Sequence, residues 1–455
     1  MSSVLPKEIA VFLKPKEIKG IDSVYYVNYR AKNQIRKNSP VEIVIPASTQ
    51  DLTLLSASRL HVQARILDEE GNPLGWSDPL KGGATPDVAV VNLALASLWR
   101  QIDLQLNTQI VSPNISVNYP YKAIFDTLLN YATDAKKSFL QAQGFFKDIA
   151  YQFNDSSNAG HALRKKLFEH GGVADFEGPL FLDVCQQERA ILNGVEVLIK
   201  AFPSADSFRL FTGENATYQV EILDCYLRVC HIKLTATAVL GINDQLKRTP
   251  TIYPMLTSSL KAYTIPSQTF MYSLEDIFNS FVPAELCVAF VKSKAYSGDF
   301  KENPYFFHHF LVNYIEFSVN GKSVPCEALT PSFTPLTYWQ PPEAGSPEDN
   351  VGTPEVSDTY FTPNGHVNEY LNMFKGRDRH NEGFDIERND FAGGYALFLF
   401  RLKHNLSEEA FSTTERGYTR LNIRFKEPLD ESVTVIVYGK FQDSFSIDLV
   451  RTVTI

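Results

Sequence analysis

Residues 238–266 read AVLGINDQLKRTPTIYPMLTSSLKAYTIP, a run interrupted by Gly241, Pro250, Pro254 and Pro266 in which few apolar residues fall at strand or helix spacing. On either side lies a β-rich half of about equal size, each with its own turn-punctuated strands. The chain therefore reads as two of something, joined by a linker at 246–259.

Outward from that junction, the first half runs over 39–245. Val41, Ile43 and Ile45 alternate with polar or lesser neighbours. Leu60, Val62, Ala64 and Ile66 alternate with Arg59, His61, Gln63 and Arg65, and Ile102, Leu104 and Leu106 with Gln101, Asp103 and Gln105. Period two is the mark of a half-buried strand. Leu180–Val184 and a strand after the turn pair Asn193-Gly194 continue the set. Over 218–234 the apolar phase slips from Val220 and Ile222 to Leu223, Cys225, Leu227 and Val229, which predicts a β-bulge near Asp224. A helical excursion over 119–176 interrupts these strands. Pro120 suits a helix start, and Tyr121, Ile124, Phe125, Leu128, Leu129 and Ala132 form a one-sided apolar stripe, followed by a short helix around His161 to Phe168.

The second half runs over 260–455, with strands expected at 260–265, 269–274, 285–292, 311–319, 395–402, 419–426 and 433–439 and a last one to Leu449. Asn320-Gly321 marks a tight turn, and Ser273 with Asp276 predicts a short capped helix through Phe281. A long loop insertion at 326–390 is rich in Pro, Gly, Glu and Asp and carries one amphipathic helix ending at Gly376. Residues 1–38 show no clear period and are expected to be an N-terminal arm. Short antiparallel strands in two sets, each broken by a helix-bearing loop, predict an all-β chain of two tandem eight-stranded jelly-roll sandwiches, a double jelly roll. Periodicity alone does not separate jelly rolls from other Greek-key sandwiches.

A net charge of −9 argues against a protein that coats nucleic acid, because neutralising phosphate needs surplus Lys and Arg. No run approaches the roughly 18 apolar residues of a membrane span, and the first 20 residues hold no signal-peptide core. The five cysteines (Cys185, Cys225, Cys230, Cys287, Cys326) suit reduced thiols, and the sequons at Asn114, Asn154, Asn215 and Asn405 are then expected to stay unused.

No catalytic motif of hydrolase, P-loop, zincin or dinucleotide-binding type is present, and no catalytic, cofactor or metal residue is assigned. Cys225 and Cys230, five apart on one strand, are expected to face opposite sides and to be buried thiols rather than metal ligands. His308 and His309, within Tyr305-Phe306-Phe307-His308-His309-Phe310, are expected to point apart on entering a strand and to serve packing or an interface rather than a pH switch. His161 and His170 read as solvated. Lys136-Lys137 and Arg164-Lys165-Lys166 read as solvated helix faces, with polyanion contact the sharper alternative. The carboxylates Glu343, Glu348, Asp349, Glu355 and Asp358 fit a mobile acidic loop better than a Ca²⁺ site, and no pair of acids is singled out for glycoside hydrolysis.

An ordered series of short motifs spans about residue 22 to the end. It comprises Pro40-Val41-Glu42-Ile43-Val44-Ile45-Pro46, Tyr119-Pro120-Tyr121-Lys122 leading into Thr127-Leu128-Leu129-Asn130-Tyr131, Ala135-Lys136-Lys137-Ser138 and Leu192-Asn193-Gly194-Val195-Glu196-Val197. It continues through Tyr263-Thr264-Ile265-Pro266, Phe290-Val291-Lys292-Ser293-Lys294-Ala295-Tyr296-Ser297-Gly298, Gly393-Gly394-Tyr395-Ala396-Leu397 and Val433-Thr434-Val435-Ile436-Val437-Tyr438. In this order the series resembles the hexon-like major capsid proteins of Polinton (Maverick) elements and adintoviruses. The resemblance implies a double jelly roll that assembles as a homotrimer. Such pseudo-hexagonal capsomers tile an icosahedral shell beside neighbouring capsomers, penton and minor capsid proteins. It implies a non-enzymatic virion protein made in the cytoplasm and assembled there or in the nucleus, with no cofactor and no direct sequence-specific nucleic-acid contact. A host-adopted capsid-derived structural protein is the alternative, and a β-sandwich carbohydrate-binding module or hydrolase a more distant one. The acidic loop at 340–360 departs from the family pattern, and no role is carried onto it.

Overall fold

The computed structural model describes residues 20–74, 86–112, 118–324, 327–339, 354–362, 364–374, 383–403 and 415–455. Alternating apolar residues build eight framework strands in the first half. These are β1 (Ile21–Arg30), β2 (Val41–Ile45), β3 (Asp51–Leu67), β4 (Trp99–Leu106), β5 (Gln109–Ile110), β6 (Ala174–Gly178), β7 (Val197–Pro203) and β8 (Gln219–Leu234). They pair antiparallel as two four-stranded sheets, in the orders β1-β8-β3-β6 and β2-β7-β4-β5.

The second half supplies β9 (Thr251–Ile265), β10 (Met271–Glu275), β11 (Glu285–Lys292), β12 (Val312–Val319), β13 (Lys322–Ser323), β14 (Phe398–Arg401), β15 (Thr419–Phe425) and β16 (Val433–Ile447). Their sheets run β9-β16-β11-β14 and β10-β15-β12-β13, with Val453–Thr454 added beside β16. This is the order of the first half, displaced by one set of strands. In each half the first strand pairs with the last and the second with the seventh, the wrapped double Greek key of a jelly roll. The chain is a double jelly roll.

The equivalence extends to the insertions. The helical excursion lies between β5 and β6, and the long insertion between β13 and β14, so both fill the same place in the jelly-roll path. The second carries a two-stranded ribbon, Pro335–Trp339 with Pro354–Phe361, and a helix at Val367–Asn372. Residues 340–353, with Glu343, Glu348 and Asp349, and Cys326 lie outside the described residues.

Several boundaries differ from the sequence reading. Ile21–Arg30 is no arm but β1, paired along β8 from Ile21↔Leu234 to Arg30↔Tyr226. An edge strand exposed on most of its length needs no alternation, so its pattern carries no period. Residues 1–19 lie outside the described residues. The expected linker at 246–259 holds the end of a helix, Ala236–Leu246, and then β9 from Thr251. That helix is capped by Thr235, whose side chain accepts from the Ala238 N–H at 3.4 Å. Pro254 sits within β9 because β9 is an edge strand and its open side asks for no N–H donor. Leu180–Val184 is not a strand; the chain there enters a short helix, Asp183–Gln186, and the strand precedes it as β6. No helix follows Ser273, which lies in β10; positive φ at Asp276, Asn279 and Ser280 turns the chain instead.

Other expectations hold. The register of β8 shifts between Ile222 and Asp224, leaving Leu223 bulged out and 40% exposed, while Cys225 continues the buried face. Asn320 and Gly321, at φ 52° and 77°, make the primed turn from β12 to β13. One continuous apolar core runs through both rolls, from Ile43, Leu104 and Ile199 to Phe290, Ile423 and Val435.

Candidate functional site

The helix Tyr119–Asn130 begins with Pro in its first turn, and its stripe of Tyr121, Ile124, Phe125, Leu128 and Leu129 implied a polar face left to solvent. Instead every residue from Tyr119 to Leu129 is buried. The helix lies between the rolls, and the second roll covers its polar face. Phe125 stacks on Phe307 at 5.2 Å and on Tyr438 at 5.6 Å, and Tyr121 meets Tyr296 at 5.4 Å and Tyr305 edge-on at 5.9 Å.

The polar face carries Lys122 and Asp126, one helical turn apart and each 1% exposed. Lys122 Nζ lies 2.8 Å from Asp126 Oδ2 and 3.1 Å from Asp183 Oδ1. The second roll completes the network. Tyr438 Oη donates to Asp126 Oδ1 at 2.9 Å, and Lys440 Nζ lies 3.4 Å from that oxygen. The backbone N–H and hydroxyl of Ser258 donate to Asp183, both at 2.9 Å. Gln186 Nε2 adds a bond to Asp126 Oδ2 at 3.2 Å. Burial alone would push the Asp126 carboxyl up, but Lys122 and Lys440 outweigh it and hold it well below the carboxylate range. Burial would likewise lower Lys122, and Asp126 and Asp183 hold it above the usual lysine value. Charges this deep are tolerated only when each is paired and hydrogen-bonded. The geometry therefore fixes how the rolls sit against each other. A Lys and an Asp at i and i+4 on a helix with an apolar stripe are the sequence signal of this pair.

The basic clusters are divided by the fold. Arg164, 1% exposed, donates to Asp148 Oδ1 at 2.8 Å and to the carbonyls of Val90 and Phe146, both at 2.9 Å. Buried Lys136 donates to the carbonyls of Leu128 and Phe384, whereas Lys137 is exposed beside Asp385. Neither cluster is a wholly solvated face, because one cation of each is spent inside. His161 is buried, not solvated, edge-on to Phe211 at 5.2 Å and 3.5 Å from Asp87. The His170 side chain lies outside the described residues.

His308 and His309 do not point apart. Positive φ at Phe310 and Leu311 turns the chain ahead of β12, and the two rings stack at 4.5 Å. The stack continues from His309 to Phe333 at 3.8 Å, to His366 at 5.1 Å and to Phe391 at 5.4 Å, tying the base of the second insertion to the roll. The Phe310 and Leu311 N–H groups donate to Nδ1 of His308 and His309 at 2.9 and 3.0 Å. Burial lowers all three imidazoles, His308 to about 4, with Lys292 adding to the effect there.

Cys185, Cys225, Cys230 and Cys287 are buried free thiols, and burial pushes Cys185 and Cys225 up to about 12. We expect these four to resist a water-soluble thiol reagent such as DTNB in the native protein and to react on unfolding; rapid native labelling mapped to Cys225 would contradict the packing of β8. Among the described residues no group of three His, Cys, Asp or Glu side chains could hold a metal ion, and no helix is long and apolar enough to cross a membrane.

With two equivalent rolls and a buried ionic junction in view, comparison with known proteins becomes specific. Over its full length the chain matches a virophage Sputnik chain with a TM-score of 0.55 at 12% identity, covering 93% of that chain. A chain of the PBCV-1 virus capsid matches 98% of this protein and 99% of its own length, with a TM-score of 0.56 and 10% identity. The mavirus major capsid protein matches all of this chain and 95% of its own, with a TM-score of 0.53 and 10% identity. The fold is shared with viral capsid proteins. In sequence, an uncharacterized Caenorhabditis elegans protein is 24% identical over 436 residues, which is 92% of this chain and 94% of that protein. No family model matches.

Proposed function

We propose that this chain is a major capsid protein, a structural subunit without catalytic activity. Three copies form a capsomer, and the capsomers tile a closed shell. One observation carries the reading: a single chain repeats one jelly-roll strand order twice, and its whole length superposes on capsid chains that it covers almost completely. Two similar rolls on a threefold axis present six similar outer faces, so a trimer packs like a hexagon and meets like neighbours on all sides. The rolls divide between β8 and β9, across the helix Ala236–Leu246. The hexon-like proteins of Polinton elements and adintoviruses are the lineage the motif series supports, with penton and minor capsid proteins as further partners. The acidic balance fits a shell that leaves genome condensation to other proteins.

The relative in Caenorhabditis elegans favours a second reading, a host-adopted structural protein that keeps the fold and its self-association. Native mass spectrometry tests the common core of both. Three chains of 51.3 kDa give 3 × 51.3, about 154 kDa. We expect that species or closed particles; a monomer at all protein and salt concentrations would overturn both readings. Nuclease-protected nucleic acid inside particles from the source organism would favour the first over the second.

A further inference from the structure

A cavity of about 390 Å³ opens between the two rolls, within the size range of small-molecule sites. Its walls are the first turn of the interdomain helix (Pro120, Tyr121), the end of β7 and the turn after it (Phe202, Ser204, Phe208), and Tyr296 from the helix Ser293–Ser297 of the second roll. Four of these residues are aromatic. Arg100 is the one charged side chain in the lining. It makes no ion pair or hydrogen bond among the described residues, and its guanidinium lies 5.9 Å from the Phe202 ring centroid. No carboxylate lines the cavity to compete for it.

An aromatic wall, a guanidinium without an ion pair and no opposing acid define one ligand chemistry. We propose that this interdomain cavity binds a small aromatic anion. Its ring lies among Tyr121, Phe202, Phe208 and Tyr296, and its carboxylate or phosphate pairs with Arg100. The walls come from both rolls, so an occupant touches both and stabilises their association by mass action. The inference does not depend on what the assembled protein does.

Isothermal titration calorimetry on the full chain tests it, with phenyl phosphate and phenylacetate as probes and inorganic phosphate and phenol as the separate halves. Saturable binding of at least one aromatic anion is expected, with one site per chain and each half about tenfold weaker or worse. Arg100→Gln, an exposed position that leaves the core untouched, should weaken the anion about tenfold. Which probe binds better distinguishes a carboxylate from a phosphate source. Absence of saturable heat for both anions, equal binding by Arg100→Gln, or phenol binding as tightly as the anions would each overturn the assignment. A higher melting temperature in wild type with probe, lost in Arg100→Gln, supports it independently of the heats.

Discussion

Lys122→Met lowers the unfolding free energy by about 3–5 kcal/mol, read from the denaturant midpoint at constant slope. The substitution keeps the length and apolar stem of the side chain but deletes the ammonium. Asp126 and Asp183, both buried, then lose the charge that lies 2.8 and 3.1 Å from them, and only Lys440 at 3.4 Å from Asp126 remains. Removing one partner of a buried pair leaves an uncompensated charge, which costs far more than the pair contributed. Against a typical domain stability of about 5–15 kcal/mol the loss is large. Removing the charge on both sides, as in Lys122→Met with Asp126→Leu, should recover part of it, because a buried pair is often replaceable by apolar groups of similar volume. Since Tyr438 and Ser258 reach the same carboxylates from the second roll, the single variant should also loosen the seam between rolls, visible as faster hydrogen exchange in β9 and β16. A loss below about 1 kcal/mol would mean that the network does not hold the junction.

Acid should destabilise the protein well before its carboxylates are protonated. His308 is held at about 4 against an ordinary value of 6.5, and His309 and His366 are lowered as well. The native state then binds fewer protons than the unfolded chain below pH 6.5. Stability from these groups is fully present above 6.5 and falls as pH drops through that value, and His308 goes on losing it until about 4. For His308 alone the full change is about 3 kcal/mol. The neighbouring charges do not reverse the sign. Lys292 and Arg388 disfavour the protonated rings of His308 and His366, in the same direction as burial. Because the ring stack joins the roll to the base of the second insertion, proteolysis at pH 5 should cut that insertion first. His309→Phe preserves a ring against Phe333 and should flatten the loss between pH 7 and 5. A wild-type unfolding free energy that stays level from pH 7 to 4.5 would rule the mechanism out.

The architecture was largely legible in the chain. Strands that face a core on one side and solvent on the other must alternate, so β2, β4, β12 and β15 could be read directly, and a lost phase marked the bulge at Leu223. Turn pairs such as Asn320-Gly321 could be read because few residues tolerate positive φ. The edges failed for the converse reason. β1 is largely exposed and reads as an arm, while Pro250 and Pro254 make the start of β9 read as linker although its end, 260–265, reads as a strand.

What the sequence by itself determined was the number of β-units, their approximate limits and the absence of a recognisable catalytic motif. These follow from local periodicity and composition, which each segment carries alone. Only the tertiary structure decided which charges are buried, that the histidines stack, and that both insertions occupy one topological place. Lys122 and Asp183 are 61 positions apart, and Asp126 and Tyr438 are 312 apart. A charged side chain looks the same in sequence whether it meets water or an opposite charge inside the protein, and only the folded chain settles which it meets.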